Sequence, residues 1–250
     1  MKKLEYKLIS IVTISLLIFI WDMLTYRQSP SAELLFPSLH NVIINLESNY
    51  EVFLHSMLVT WSRVILGLVI GFFTGLIMGI FITWSQILES VLDPVIELIR
   101  PIPPIALTPF FILWFGLGNL GQLLLIALGC FMIIVVSTVT SIRNVNVLYV
   151  RAAKSLGASM YDIYTTVLLP SILPNLLSAT RVALATGFSL TVAAEYLGAQ
   201  GGLGYLIRNA RVTLSTNTIL LAAVLLGVLS LLTDFLIRKL FNYLTRWNNV

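Results

Sequence analysis

Runs of apolar residues long enough to cross a bilayer recur along this chain with only short polar connections between them, and no other feature limits its fold so severely. A spanning helix needs about 20 mostly apolar residues, and six segments approach that: 8–26, 57–84, 103–116, 119–141, 171–197 and 217–241. Only 10% of the 250 residues are charged and 58% are hydrophobic, whereas soluble domains are about 25% charged. The expected fold class is therefore an all-α membrane protein with six transmembrane helices. A single membrane domain covers 1–250, and no stretch is left over to build a soluble core. The first run follows Met1-Lys2-Lys3 as a signal peptide would, but it continues past Trp21 to Tyr26 without an A-x-A cleavage site. It reads as a retained helix.

Basic residues choose the orientation. With the amino terminus inside, the cytoplasmic side receives Lys2, Lys3, Lys7, Arg100, Arg143, Arg151, Lys154, Arg238, Lys239 and Arg246, against Arg27, Arg208 and Arg211 outside. That bias predicts both termini in the cytoplasm, and 27–56 becomes an external segment. The formal charge of +4 forms no basic stripe interleaved with aromatics, so nucleic acid is not an expected partner. His40 and His55 lack neighbours at ligand spacing, and Cys130 is the one cysteine. Neither a metal site nor a disulfide framework is expected.

Within the second segment Gly67, Gly71, Gly75 and Gly79 fall at successive i+4 positions. Lipid gives helices no hydrophobic reason to associate, so such a stripe predicts a close packing surface, toward a neighbour in this chain or a second copy. Next, Glu89, Asp93 and Glu97 repeat every four residues among Leu88, Leu92, Val95, Ile96 and Ile99, the pattern of an amphipathic interfacial helix. Pro94 should bend it. Pro101, Pro103 and Pro104 then exclude regular helix at the entry to the third segment, and irregular backbone at that depth belongs in protein or along a wet cavity. Pro103 and Pro104 are thus candidate pathway residues.

Several signatures of chemistry are missing or misleading. GLGNLG, Gly116 to Gly121, matches G-x-G-x-x-G but sits between two spanning runs with no strand before it and no acid until Asp162. It is a turn, not a nucleotide site. GAQGGLGY, Gly198 to Tyr205, is likewise a connection. No Gly-Lys dipeptide occurs, so no Walker A loop exists, and neither H-E-x-x-H nor G-x-S-x-G is present. The chain is expected to be non-catalytic, with no cofactor of its own.

The stretch RAAKSLGASMYDIYTTVLLP, Arg151 to Pro170, interrupts the apolar runs. Leu148, Ala152 and Leu156 repeat at i+4 along a helical face, Gly157 suits a left-handed helix end, and Ser159 to Asp162 has capping-box spacing. A second helix is expected from Ser159 to Leu169, before Pro170 and Pro174 reopen the chain. The product is a rigid elbow at about 147–170. By the residues alone it could cover the bundle base or seat another protein.

Ala152-Ala153, three residues, Gly157, nine residues, Val167, one residue and Leu169-Pro170 resembles the EAA loop of bacterial ABC-importer permeases, and it lies between the fourth and fifth spans as in that family. Arg151 stands where the motif often has glutamate, so an acidic contact is not carried over. Leu92–Ala106, the WFGLG at 114–118 and Ala193–Ile207 are similar to the nitrate/sulfonate/taurine branch of type I importers, with a MetI-like permease fold. The resemblance implies a bacterial inner-membrane homodimer, two ATPase subunits that bind ATP and Mg, and an external substrate-binding protein delivering a small anionic or zwitterionic solute. It implies that Arg151, Ala152, Ala153, Lys154, Leu156, Gly157, Ala158, Ser159, Asp162 and Pro170 couple to the ATPase.

In the fifth segment Arg181, Leu184, Phe188, Thr191 and Glu195 follow 3–4 spacing and could share one face. A charge at the bilayer centre costs roughly 2.5–3.5 kcal/mol on insertion scales, so Arg181, Phe188, Thr191 and Glu195 are candidates for a wet pathway, with pairing or snorkelling as the alternative for Arg181. An ion-gradient-driven transporter or channel, or a structural scaffold, would share this hydropathy.

Overall fold

The computed structural model describes residues 2–25 and 36–245; Met1, Tyr26, Arg27 and Arg246, which entered the reading above, lie outside them. The described residues are helical almost throughout, as α1 (Lys2–Thr25), α2 (Leu39–Ser48), α3 (Tyr50–Trp84), α4 (Gln86–Ile99), α5 (Thr108–Phe115), α6 (Asn119–Arg143), α7 (Val147–Ser155), α8 (Met160–Gly198), α9 (Leu203–Val212) and α10 (Thr216–Leu244). Among them α3, α6, α8 and α10 are long and apolar enough to cross a membrane, and α4 with α5 makes a fifth passage if the bent pair counts as one. α1 corresponds to the first expected segment, 8–26, as far as Thr25.

Three boundaries differ from the sequence expectation, each for a physical reason. The second span begins at Tyr50 rather than 57, because 50–56 continues the helix into what was expected to be an external connection. The third is no straight crossing over 103–116. Pro101, Pro103 and Pro104 remove donors and clash with the preceding turn, so α4 ends at Ile99, a 3₁₀ turn occupies Pro104–Leu107, and the axis bends by 81° into α5. The fifth span does not start after Pro170. Helix is continuous from Met160 to Gly198, and a π turn at Ile163–Leu168 precedes the prolines; such local widening re-satisfies backbone groups that proline frees. α4 likewise runs through Pro94 without a break.

The glycine stripe of α3 lies against α6 of the same chain. A Cβ on Gly71 would stand 2.6 Å from the Ala127 carbonyl oxygen, and one on Gly79 would stand 2.6 Å from the Thr138 Cβ. The core of the bundle grows outward from this seam, with Val64, Ile126, Cys130, Ile134, Ala183, Leu184 and Phe188 packed together. A second cluster at one end joins Ile142, Ile163, Tyr164, Leu168, Ile172 and Phe241, and Trp84 stacks on Tyr164 with centroids 4.7 Å apart. This is the elbow end of the bundle. At the opposite end α2, α9 and the start of α10 close over Val42, Phe53, Leu203 and Leu221.

Candidate functional site

The elbow is built from local chemistry. α7 is capped at its start by Asn146, whose side chain accepts from the Leu148 amide, and Gly157 turns the chain at φ +83°, a backbone angle that costs any residue with a Cβ. Ser159 accepts from the Asp162 amide at 3.2 Å while the Asp162 carboxylate accepts from the Ser159 amide at 3.0 Å, which is the reciprocal box read from the sequence. The box therefore begins α8 at Met160, not a separate short helix ending near Leu169.

Ala153 and Ala158 pack inward on the elbow-end cluster. Arg151, Ala152, Lys154, Gly157, Ser159 and Asp162 are exposed, and Leu156 is 89% exposed. Leu148, Tyr149, Met160 and Tyr161 are exposed beside it. A loop that merely covered the bundle base would turn these apolar groups inward. Pro170, half-buried, lies farther along α8, beyond the π turn at Ile163–Leu168.

α4 is tied to the same end. Glu89 and Asp93 both accept from the Arg143 guanidinium, at 2.6 and 3.1 Å, so two of the three acids expected on a solvated face instead clamp α4 to the foot of α6. Leu92 and Ile96 pack on Ile82, Val135 and Val139. The α4–α5 bend, α6 and α8 then enclose a cavity of about 700 Å³, whose walls include Arg100, Pro104, Ser137, Thr140, Asn175 and Ser178. Of the six residues proposed from sequence for a pathway, only Pro104 is in this wall.

The others lie elsewhere. Phe188, Thr191 and Glu195 are buried in the bundle, so the face expected to run from Arg181 to Glu195 points into protein over most of its length. Arg181 is on the outside of α8, and its guanidinium donates to both Asp234 oxygens at 2.6 and 3.3 Å, with Arg238 also 2.9 Å from Asp234. It is paired, across α8 and α10.

Glu195 has a partner that sequence reasoning passed over. Arg63, a cation within the second span, donates to Glu195 at 2.7 Å, to the Gly201 carbonyl at 2.7 Å and to Asn119 Oδ1 at 2.7 Å. Thr60 donates to the carboxylate at 3.0 Å and the Gly204 amide does so at 2.9 Å. This knot draws together α3, the first residue of α6, α8, the α8–α9 connection and the start of α9 at the end opposite the elbow. Its signal in the sequence was charge balance: one buried cation and one buried anion in two spans, each too costly alone. Gly202, at φ +109°, passes so close to the carboxylate that a Cβ there would overlap it.

Comparison with known proteins follows the same outline. Residues 67–242 match the family described as binding-protein-dependent transport system inner membrane component. The chain is 35% identical over 187 residues to the taurine transport system permease protein TauC of Escherichia coli K12, covering 75% of this chain and 68% of that protein. It is 36% identical over 187 residues to the putative aliphatic sulfonates transport permease protein SsuC of Bacillus subtilis 168, with the same coverages. A solved structure of the MetNI methionine ABC transporter in an inward-facing conformation shares the fold, with a TM-score of 0.67 and 20% identity over 80% of this chain and 97% of that one. An 18%-identical chain of an amino acid ABC transporter, with a TM-score of 0.62 over 81% of this chain and 97% of that one, shares it too. From the family match and the 35–36% identities, the chain belongs to the binding-protein-dependent inner membrane components, the permeases of ABC transporters.

Proposed function

We propose that this permease works in an ATP-driven importer for a small anionic or zwitterionic solute of the taurine, sulfonate or nitrate type. Two copies stand side by side in the bacterial inner membrane, a separate substrate-binding protein delivers solute to the outer face, and two ATPase subunits carry ATP and Mg below. This chain does no bond chemistry; it converts closure of the ATPases into rocking of its bundle. One observation carries the reading: Leu156 and its exposed apolar neighbours stand at the tip of a doubly capped helical elbow, flanked by Arg151 and Lys154. A rigid apolar plug with a charged rim suits a cleft in a protein partner.

The elbow can transmit force because it is joined to the bundle without a soft link. α8 begins inside the capping box and continues to Gly198, so a push on Ser159 or Tyr161 moves the helix that walls the cavity. The basic residues Arg143, Arg151 and Lys154 gather at the elbow end and Arg208 and Arg211 on α9 at the other, which supports cytoplasmic termini. The resulting pathway is the cavity between α6 and α8, reached through the α4–α5 bend.

Gly157→Val in the reconstituted transporter tests this. The position has open space around it, so the variant meets no clash, but the left-handed backbone costs about 1–2 kcal/mol and should relax by reorienting α7. ATP hydrolysis should persist while solute uptake per ATP falls at least several-fold. Unchanged uptake per ATP would overturn the coupling role.

A further inference from the structure

The glycine seam between α3 and α6 ends on a polar rung. A Cβ on Gly67 would meet Ile126, one on Gly71 would meet Cys130, one on Gly75 would meet Ile134 and one on Gly79 would meet Thr138. Each step of four along α3 is matched by a step of four along α6, so the two helices run parallel in one register. A step before Gly67 and Ile126 stand Arg63 and Gln122. The Arg63 bond to Asn119 Oδ1 agrees with that register, because Asn119 and Gln122 are three residues apart and share a face of α6. Where the other rungs set a glycine against a side chain, this one sets two long polar side chains against each other.

Both are buried, Arg63 at 8% and Gln122 at 4% exposure. Arg63 spends Nη1 on Glu195 and Gly201 and Nη2 on Asn119. Its Nε–H has no hydrogen-bond partner among the described residues, and neither has Gln122 Oε1. Asn217 Oδ1 is the one other buried side-chain atom in that condition among them, and it belongs to a half-buried residue at the start of α10. A buried donor or acceptor left unmet costs free energy. Here one of each kind falls at the same rung. Whatever meets both must accept from Nε–H and donate to Oε1. Arg63 and Glu195 cancel one another's charge, so the rung offers no net charge to hold an ion. Water accepts and donates at once, and buried water is held by just such groups.

We infer that one buried water bridges Arg63 Nε and Gln122 Oε1 across the α3–α6 seam, which makes Gln122 a positioning residue for Arg63. The bridge fixes the one edge of the guanidinium that Glu195, Gly201 and Asn119 leave free. Its effect reaches beyond the seam, because Arg63 holds the Gly201 carbonyl in the α8–α9 connection. The next amides of that connection, Leu203 and Gly204, donate to Thr60 and Glu195 in the same knot, at 2.8 and 2.9 Å. A shift of the guanidinium therefore loosens the start of α9, a segment far from Gln122 in sequence.

Water-edited solid-state NMR of the ¹⁵N-labelled full chain in lipid bilayers tests the bridge directly. The Arg63 Nε–H signal, assigned by its loss in Arg63→Lys, should receive magnetisation from water in wild type and lose that transfer in Gln122→Met. Methionine is unbranched like glutamine and fills the same space without the acceptor. Unfolding in mixed micelles with sodium dodecyl sulfate adds a change whose sign decides. With the bridge present, Gln122→Met strands the Nε donor and lowers the folded-to-unfolded ratio about fivefold to a hundredfold. In an Arg63→Lys background, which has no Nε–H, the same change should no longer destabilise. Amide exchange at Leu203 and Gly204 should quicken in Gln122→Met while that of 163–172, at the elbow end, keeps its wild-type rate.

Gln122→Met as stable as wild type, or more so, would mean that the acceptor was simply unmet and would overturn the inference. Destabilisation without water transfer to Arg63 Nε would overturn it as well, since the two side chains would then bond directly. Water transfer that survives in Gln122→Met would place the water on other groups. An equal loss of stability in the Arg63→Lys background, with unchanged exchange at Leu203 and Gly204, would reduce Gln122 to a packing residue.

Discussion

Removing the Glu195 charge should destabilise this permease far more than breaking any of its exposed ion pairs. The Arg63 and Glu195 side chains are 10% and 0% exposed and meet at 2.7 Å. In Glu195→Gln the guanidinium keeps Asn119 Oδ1 and the Gly201 carbonyl but loses its one counter-charge among the described residues. Leaving one member of a buried pair uncompensated costs about 3–5 kcal/mol. Arg63→Gln should cost a similar amount, since the carboxylate would retain only Thr60 and the Gly204 amide. With both changes neither ion remains, so the double variant should be less damaged than the two singles combined, by about 2–3 kcal/mol. Unfolding by sodium dodecyl sulfate in mixed micelles, followed by fluorescence of the five tryptophans, measures all three. Single variants each costing under about 1 kcal/mol, or a double variant costing their sum, would refute the view that this pair holds α3, α8 and α9 together.

The glycine seam should respond by position. Gly71→Ala must open α3 from α6 by about 0.8 Å against backbone to restore 3.4 Å contacts, and should destabilise by about 1–3 kcal/mol in the same unfolding assay. Gly227→Ala on α10, with nothing within 4 Å, should be neutral or slightly stabilising from helix propensity. Arg143→Gln should free α4 from the foot of α6 and speed amide exchange across 86–99. Its cost should stay near 1 kcal/mol and shrink in high salt, because all three side chains are about 40% exposed.

How much was legible without coordinates depends on the range of the interaction. The elbow was readable because its determinants are neighbours: Gly157 sets a left-handed turn, and Ser159 and Asp162 are three residues apart. Apolar run length located the spans, and the glycine spacing marked a close seam, since both act through one helix and its solvent. Pro101, Pro103 and Pro104 foretold the break before α5. Pro170 did not break α8, because a π turn in the preceding residues absorbed it, and that compensation has no fixed residue signature.

What the chain's order alone determined, then, is where the helices run, where they break and that a capped elbow interrupts them. Tertiary structure decided which distant groups answer one another: Arg63 with Glu195 across 132 positions, Arg181 with Asp234 across 53, and Arg100 with Ser137, Asn175 and Ser178 in one cavity wall. Caps and spans depend on contacts within a turn or on transfer into lipid, which a string of residues already specifies. A buried charge or an open cavity depends on which helix faces come together, and that is set only when all the faces pack at once.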